Sequence, residues 1–340
     1  MKDTSAVIKR CLGRILCFCL LGLPAVLLSI ASAHAQPFVY VANALSNNVS
    51  VIDTITQTVV TAVPVGMNPI GVGVTPDGAF VYVTNAVPAG NVSIISTATN
   101  TVVDTVPVGP FPESVAFKPD GTLAYVLNTS GVEGVGSVSV IDTATHAVMA
   151  TITVGTFPNT IAITPDGAFA YVTDGFSSPP DVAVIDLTSN IVAAQIPVGN
   201  SPGGLAITPD GAFAYVSNGG SNTISVIDTT TRTVVATINA GINPADVAIT
   251  PDARFVYIPN FNGSNVSVID TGSNTIVGTV DVGSNPIGVA ITPDGAFAYV
   301  ANSAFFVGTP TVSVIDTATN VVVATILVGN RPERLAITPQ

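Results

Sequence analysis

Tyrosine recurs along this chain at a nearly constant spacing. It stands at positions 40, 82, 125, 171, 215, 257 and 299, so successive tyrosines lie 42, 43, 46, 44, 42 and 42 residues apart, and there are no others. A period of this length is the sequence signature of a protein built from repeated supersecondary units. The chain is therefore expected to fold as a series of similar units.

Each repeat contains four short apolar runs bounded by turn residues. In the second repeat these runs are 70–75, 80–84, 92–95 and 102–108, here termed strands A to D. They are rich in Val, Ile, Phe and Tyr, which is typical of β-strands. No apolar period of 3.6 residues persists long enough to predict a helix. The pattern therefore predicts antiparallel four-stranded units and essentially no helix.

The connections between strands also repeat. Pro-Asp-Gly, as at 76–78, joins A to B, where Pro presets φ, Asp bonds the local backbone and Gly accepts positive φ. Asp-Thr-x-Thr, as at 142–145, joins C to D, and Val-Gly-x-x-Pro, as at 108–112, joins D to the next A. Such sheets cover both faces when they stack in a ring, which predicts an all-β propeller.

The order of strands along the chain predicts how the ring closes. After residue 35 the chain starts on a strand B at 38–41, and its last apolar run, 335–338, is a strand A. One blade should therefore combine this C-terminal strand A with the N-terminal strands B, C and D. With six complete blades, the composite blade makes seven.

These residues resemble a known family. Tyr82-Val83-Thr84-Asn85 matches the tetrapeptide that names the YVTN β-propeller repeat family, and Val-Ser-Val-Ile-Asp and Thr-Pro-Asp-Gly belong to the same consensus. The resemblance covers residues 36–340 and implies a seven-bladed, WD40-like propeller of the exported bacterial type. Most members have no assigned activity. Wider relatives include lactonases, a haem-d1 domain and a periplasmic member linked to DNA binding, so the resemblance does not fix a function.

The first 35 residues have the pattern of a cleaved secretory signal peptide. Basic residues at 2, 9, 10 and 14 precede an apolar stretch at about 15–30, and 33–35 read Ala-His-Ala, a small-x-small cleavage pattern. Pro24 interrupts the apolar stretch, which is shorter than the roughly 20 residues of a membrane span. We expect an exported protein, periplasmic or secreted to the cell surface, with residues 36–340 as one domain and no membrane span after cleavage.

Removal of this segment limits the chemistry that remains. All three Cys and one His leave with it, so His146, expected to be an exposed turn residue, is the remaining histidine. Five basic residues then face 20 acidic ones, a net charge of −15, which argues against nucleic-acid or anionic-membrane binding. We predict no cofactor and no metal. A calcium site remains conceivable, although no Asp-x-Asp-x-Asp-Gly spacing supports it.

The candidate ligand site lies where strand A begins. In a propeller the D–A and B–C loops open on one face, and here the B–C loops vary in length while the turns of the other face are nearly constant. Variation confined to one face marks it as the functional one. Charged or polar residues follow the loop proline at the expected mouth of the central channel, where they form either a ligand site or a solvated rim: Glu113, Asn159, Asp246, Glu333 and Arg334.

Phenylalanines outside the repeat pattern fall in loops of the same face. Those that stand two residues before a repeat Tyr are expected to be core. Phe117 lies on a strand A, and the phenylalanines left in the loops either fold over the blade ends or form a platform for a partner. They are Phe111, Phe157, Phe176, Phe261, Phe305 and Phe306.

Two functions are compatible with this pattern. The first is a non-catalytic scaffold that binds an unknown protein or small molecule through the loop-rich face. The alternative is a lactonase-like hydrolase whose carboxylates work at the channel mouth, since the single histidine of residues 36–340 leaves acid–base chemistry to carboxyl groups. A carboxyl pKa raised by its surroundings would favour the hydrolase, and exposed loop phenylalanines would favour the scaffold.

Overall fold

A computed structural model describes residues 37–130, 134–175 and 179–340. These residues form 28 β-strands and no helix. The expected segment boundary after residue 35 and Phe176 lie outside the described residues.

The strands follow one another in four-strand groups separated by turns. The first are β1 (Phe38–Asn43), β2 (Asn48–Asp53), β3 (Thr58–Pro64), β4 (Pro69–Val74), β5 (Phe80–Asn85), β6 (Asn91–Ser96), β7 (Thr101–Pro107), β8 (Pro112–Phe117), β9 (Leu123–Asn128) and β10 (Ser137–Asp142). Next come β11 (Val148–Thr153), β12 (Pro158–Ile163), β13 (Phe169–Asp174), β14 (Asp181–Asp186), β15 (Ile191–Pro197), β16 (Pro202–Ile207), β17 (Phe213–Asn218), β18 (Thr223–Asp228) and β19 (Thr233–Asn239). The last are β20 (Ala248–Ile249), β21 (Phe255–Asn260), β22 (Asn265–Asp270), β23 (Thr275–Asp281), β24 (Pro286–Ile291), β25 (Phe297–Asn302), β26 (Thr311–Asp316), β27 (Val321–Leu327) and β28 (Pro332–Ile337).

The strands build seven antiparallel sheets of four, which confirms the seven-bladed propeller. Blade 1 has the order β28-β1-β2-β3, and blades 2 to 7 each use four consecutive strands, from β4–β7 to β24–β27. The composite blade is confirmed by the pairing of β28 with β1, in which Tyr40 lies opposite Ala336 and Val41 opposite Leu335. The last strand thus closes the ring as its innermost element.

Blade 6 departs from the repeat in its inner strand. Here β20 comprises two residues, and an isolated bridge between Pro244 and Asn260 replaces the start of the expected strand. The adjacent β21 carries Pro259, which has no N–H to donate to a ladder. At the matching place in blade 2 the Thr84 hydroxyl accepts a bond from Gly71 N–H at 2.7 Å. The shortened β20 therefore lies beside a strand B that carries a proline.

The repeat tyrosines join each blade to the next. All seven are buried, and apolar clusters such as the one containing Tyr215, Val226 and Val256 span two neighbouring blades. The hydroxyl of Tyr215 also donates to Asn274 Oδ1 of the next blade at 2.9 Å. Asn274 sits at a C–D turn position with φ of 52°, a left-handed conformation that Asn tolerates well. The tyrosine is thus a structural connector, as its regularity predicts.

His146 occupies the same turn position in blade 3, but the expectation that it is exposed is wrong. Its side chain is 19% exposed, and Nδ1 lies 2.7 Å from Asp104 Oδ2. The rings of Phe80 and Tyr82 from blade 2 meet the imidazole edge-on, both with centroids 6.2 Å away. Since the turn packs against the preceding blade, a ring at this position is covered.

The Asn that ends strand B is a buried link between strands. In blade 5, Asn218 Nδ2 donates to Ser225 Oγ of strand C at 3.0 Å. The amide also packs on the loop that enters strand A, where a Cβ on Gly199 would lie 2.7 Å from Asn218 Cγ. This contact explains why Gly recurs in the Val-Gly-x-x-Pro connection.

The phenylalanines two residues before each Tyr are less buried than expected. Phe213 is 38% exposed, and Phe38, Phe80 and Phe297 are half-buried. They are the first residues of strand B, and Phe80, Phe213 and Phe297 directly follow the A–B turn.

Candidate functional site

The mouth of the central channel forms a cavity of about 630 Å³. The seven inner strands begin here, and the residue after each loop proline lines the cavity. These residues are Ile70, Glu113, Asn159, Gly203, Ala245, Ile287 and Glu333. Further charged and aromatic side chains in the lining are those of Asp246, Arg331, Arg334, Phe157 and Phe261. All five residues predicted as a ligand site therefore lie in one cavity.

Arg334 reaches across the channel. It starts from β28 in blade 1, and its Nη2 donates to Asn159 Oδ1 at 2.7 Å and to Thr160 Oγ1 at 2.6 Å in blade 4. Nη1 donates to Ser114 Oγ of blade 3 at 3.4 Å. The guanidinium is therefore fixed by neutral acceptors on the far side of the ring. Asn159, itself exposed, acts as the anchor for this arginine.

Glu333 forms an ion pair beside the arginine. Its side chain is 5% exposed, and Oε1 lies 2.6 Å from Arg331 Nε. Burial raises the pKa of Glu333, while Arg331 and then Arg334 oppose that rise. Arg331 was not predicted as a site residue; it stands one residue before the loop proline and has a positive φ of 55°. Its position as a basic residue in a D–A loop was the sequence feature that could have indicated it.

Asp246 is set into the wall between blades 5 and 7. A Cβ on Gly204 of the neighbouring inner strand would collide with Asp246 Cα, so glycine is required for this approach. Asp246 Oδ2 accepts a hydrogen bond from Val289 N–H of blade 7 at 3.2 Å. Burial raises the pKa of this carboxyl, and the charge of Arg334 is the main opposing effect.

Glu113 contributes a third carboxyl from β8. Burial raises its pKa, Arg334 and Arg331 lower it, and the negative charge of Glu333 raises it further. No described residue forms a hydrogen bond or an ion pair with its carboxylate. The cavity therefore contains three carboxyls that are poorly solvated.

The raised pKa of Asp246 predicts a specific pH dependence of stability. An acid with a higher pKa in the folded state loses stability as the pH rises from its unfolded to its folded pKa. Asp246→Asn removes this titration, so the variant should melt at a higher temperature than the wild type at pH 7. The difference should disappear below the ordinary value of 3.8, where both side chains are neutral.

Melting curves followed by circular dichroism between pH 3 and 8 would measure this difference. Asp281→Asn removes the same charge from an exposed position on outer strand β23 and is the matched control. A wild type that is more stable than Asp246→Asn at pH 7 would contradict the prediction.

Three of the predicted loop phenylalanines form an aromatic cluster, here called the Phe cluster: Phe261, Phe305 and Phe306. The ring centroids of Phe305 and Phe306 are 4.9 Å apart, and Phe261 lies 6.4 and 6.3 Å from them. Phe305 is 46% and Phe306 71% exposed, and the neighbouring Val307 is 78% exposed. Arg331 lies over the Phe305 ring at 4.6 Å, which ties the cluster to the cavity rim.

The other predicted phenylalanines have different surroundings. Phe157 lines the cavity, and its N–H donates to Asp174 Oδ1 at 3.2 Å. Phe111 is half-buried in its loop with a φ of 46°. Phe176 lies outside the described residues. The platform suggested by the sequence is therefore concentrated between blades 6 and 7.

Among residues 37–130, 134–175 and 179–340, no three His, Cys, Asp or Glu side chains converge as metal ligands. Within the same ranges no helix has the length and apolarity needed to cross a membrane.

Comparison with known families and structures agrees with this architecture. The model of the lactonase family of seven-bladed β-propellers matches residues 112–280. The chain is a seven-bladed β-propeller protein. The matched segment includes Glu113, Asn159 and Asp246 but ends before Glu333 and Arg334. No curated protein matches the sequence.

Solved structures include similar propellers. Hydrazine synthase of Kuenenia stuttgartiensis is 26% identical, with a TM-score of 0.74 over 82% of this chain and 92% of that chain. A functionally unknown protein from Desulfotomaculum acetoxidans has a TM-score of 0.77 and 19% identity over 89% of this chain and 99% of that chain. The second likeness shows the fold alone.

Proposed function

We propose that this propeller is an exported, non-catalytic scaffold that binds a protein partner through its loop-rich face. The observation that carries the proposal is the Phe cluster, whose two outer rings stand in solvent beside Val307. Contiguous exposed apolar groups on a soluble protein mark interaction surfaces. Aromatic side chains also supply the dominant anchors of such interfaces.

The surroundings of the cluster fit an apolar anchor with a polar rim. Arg331 stacks on Phe305 and is itself paired with Glu333, so its charge is held in place beside the aromatic surface. Fixed polar groups around an apolar centre give an interface its orientation. We expect the partner to present an apolar pocket or groove that takes Phe306.

Capture from the envelope fraction, with chemical cross-linking and mass spectrometry, would test the proposal. The wild type should enrich a defined partner, and Phe305→Ser/Phe306→Ser should lose at least about 90% of it, as expected when an interface anchor is removed. Ile55→Ser changes an equally exposed apolar residue on the opposite face and is the matched control, since Ile55 is 75% exposed.

Binding of the captured partner would then be measured with purified proteins. A dissociation constant that is unchanged by the double substitution, or equally weakened by Ile55→Ser, would overturn the assignment of this surface.

A carboxylate-based lactone hydrolase is the second candidate. What supports it is the raised pKa of Glu113 and Asp246, since a general base benefits from a pKa close to the working pH. The lactonase family match over residues 112–280 points in the same direction. Ring opening of a simple lactone by the purified protein, lost in Asp246→Asn, would establish this activity in place of the scaffold role.

A further inference from the structure

The channel-mouth cavity has the dimensions and walls of a small-molecule site. Its volume of about 630 Å³ lies within the range of roughly 300–1,000 Å³ typical of ligand pockets. Phe157 and Phe261 line it together with Ile70 and Ile287, so apolar and aromatic surface surrounds the charged groups. The cavity is distinct from the outer rings of the Phe cluster, because Phe305 and Phe306 do not line it.

The charges in the cavity are unbalanced. The inner strands of blades 2, 4, 5 and 7 contribute no charged side chain to the lining, and the charged residues are Glu113, Asp246, Glu333, Arg331 and Arg334. Fully ionised, they carry three negative charges and two positive ones. The protein as a whole adds a negative field, with a net charge of −12.

The two arginines are already engaged. Arg331 pairs with Glu333 at 2.6 Å. Arg334 donates to Asn159, Thr160 and Ser114, all neutral, so its hydrogen bonds satisfy none of the carboxylates. Glu113 and Asp246 are therefore left without a cation at hydrogen-bonding distance among the described residues.

Carboxylates in this situation are stabilised by a cation from outside. Asp246 accepts hydrogen bonds from the backbone N–H groups of Val289 and Val247, and Glu113 accepts no hydrogen bond from a described side chain. A charged group that is partly removed from water is costly unless it is paired. An ammonium group offers donors for the carboxylates, and aromatic faces attract it through the ring quadrupole.

We propose that the channel mouth binds a small organic cation that carries a primary ammonium group, held by Glu113 and Asp246 between the rings of Phe157 and Phe261. The cavity is far larger than a single metal ion. Among the described residues, moreover, no three carboxyl groups converge as ligands of a metal ion. This site goes beyond the proposed scaffold role, because it uses the interior of the channel rather than the exposed rings.

Titration calorimetry with 1,4-diaminobutane at pH 7.5 tests the assignment. The diamine should bind with heat release that saturates at one equivalent, and 1,4-butanediol, which has the same length without charge, should not bind. Glu113→Gln and Asp246→Asn should each raise the dissociation constant at least about tenfold, as for loss of one partner of a desolvated charge pair. Asp281→Asn, which replaces an exposed acidic residue outside the cavity, should change the dissociation constant by less than about twofold.

Melting temperatures of the variants would show that each still folds. If Asp246→Asn does not fold, Glu113→Gln alone tests the effect on diamine binding. Binding of the diamine should weaken as the pH falls and the two carboxyls take up protons. A second titration in excess calcium chloride tests whether calcium competes for the same site. We expect the affinity for the diamine to be unchanged. Absence of diamine binding, equal binding of butanediol, or affinity unaffected by both cavity substitutions would overturn the proposal, as would displacement of the diamine by calcium.

Discussion

Replacing Tyr215 with Ala should lower the free energy of unfolding by roughly 3–5 kcal/mol, the range for deletion of a buried aromatic side chain. The ring is 1% exposed and packs with Val226 of its own blade and Val256 of the next. Truncation leaves a cavity between two blades that cannot close without shifting both sheets. Urea unfolding followed by circular dichroism would measure the loss.

Tyr215→Phe separates the ring from its hydroxyl. This control keeps the packing but removes the hydrogen bond to Asn274 Oδ1, and we expect a loss of about 0.5–1.5 kcal/mol. If Tyr215→Ala costs less than about 1 kcal/mol, well below the range for a buried aromatic side chain, the inter-blade role of the tyrosine is wrong.

Deleting residues 334–340 should open the ring and lower the melting temperature by more than about 10 °C, since a loss of several kcal/mol shifts the midpoint by 2–4 °C per kcal/mol in chains of a few hundred residues. The deletion removes most of β28, which pairs with β1 through Val39–Ile337 and Tyr40–Ala336. Both neighbouring blades then expose apolar surface, and β1 presents an unpaired edge.

A shorter deletion is the matched control. Residues 339–340 follow β28 and are exposed, so removing them should leave the melting curve unchanged within error. A synthetic peptide of residues 332–340 should restore part of the lost stability when added to the long deletion. An unchanged melting temperature after the long deletion would refute closure by this strand.

The repeat made the fold predictable because every feature of it is local. Pro76, Asp77 and Gly78 specify a turn by their own chemistry, and Thr75 Oγ1 indeed donates to Asp77 Oδ1 at 2.6 Å. The composite blade followed from the order of strands. The short β20 was not predicted from its own residues, and the proline beside it, Pro259, lies on the partner strand.

The site was predictable in position but not in its contacts. Glu113, Asp246 and Glu333 follow loop prolines, and the topology alone brings such positions to the channel mouth. The bonds from Arg334 to Asn159 and Thr160 join residues about 175 positions apart, a distance over which no local pattern exists. The partners of His146 were missed for the same reason, because Phe80 and Tyr82 belong to another repeat.

The placement of Glu333 and Arg334 on the closing strand links molecular integrity to recognition. A chain that is incompletely synthesised, or cleaved by a protease before β28, lacks both the strand that closes the ring and one wall of the cavity. By mass action, an occupant that touches these residues favours the sealed form over the open one. A ligand would thus bind only to the closed propeller, and a chain without β28 would not bind it.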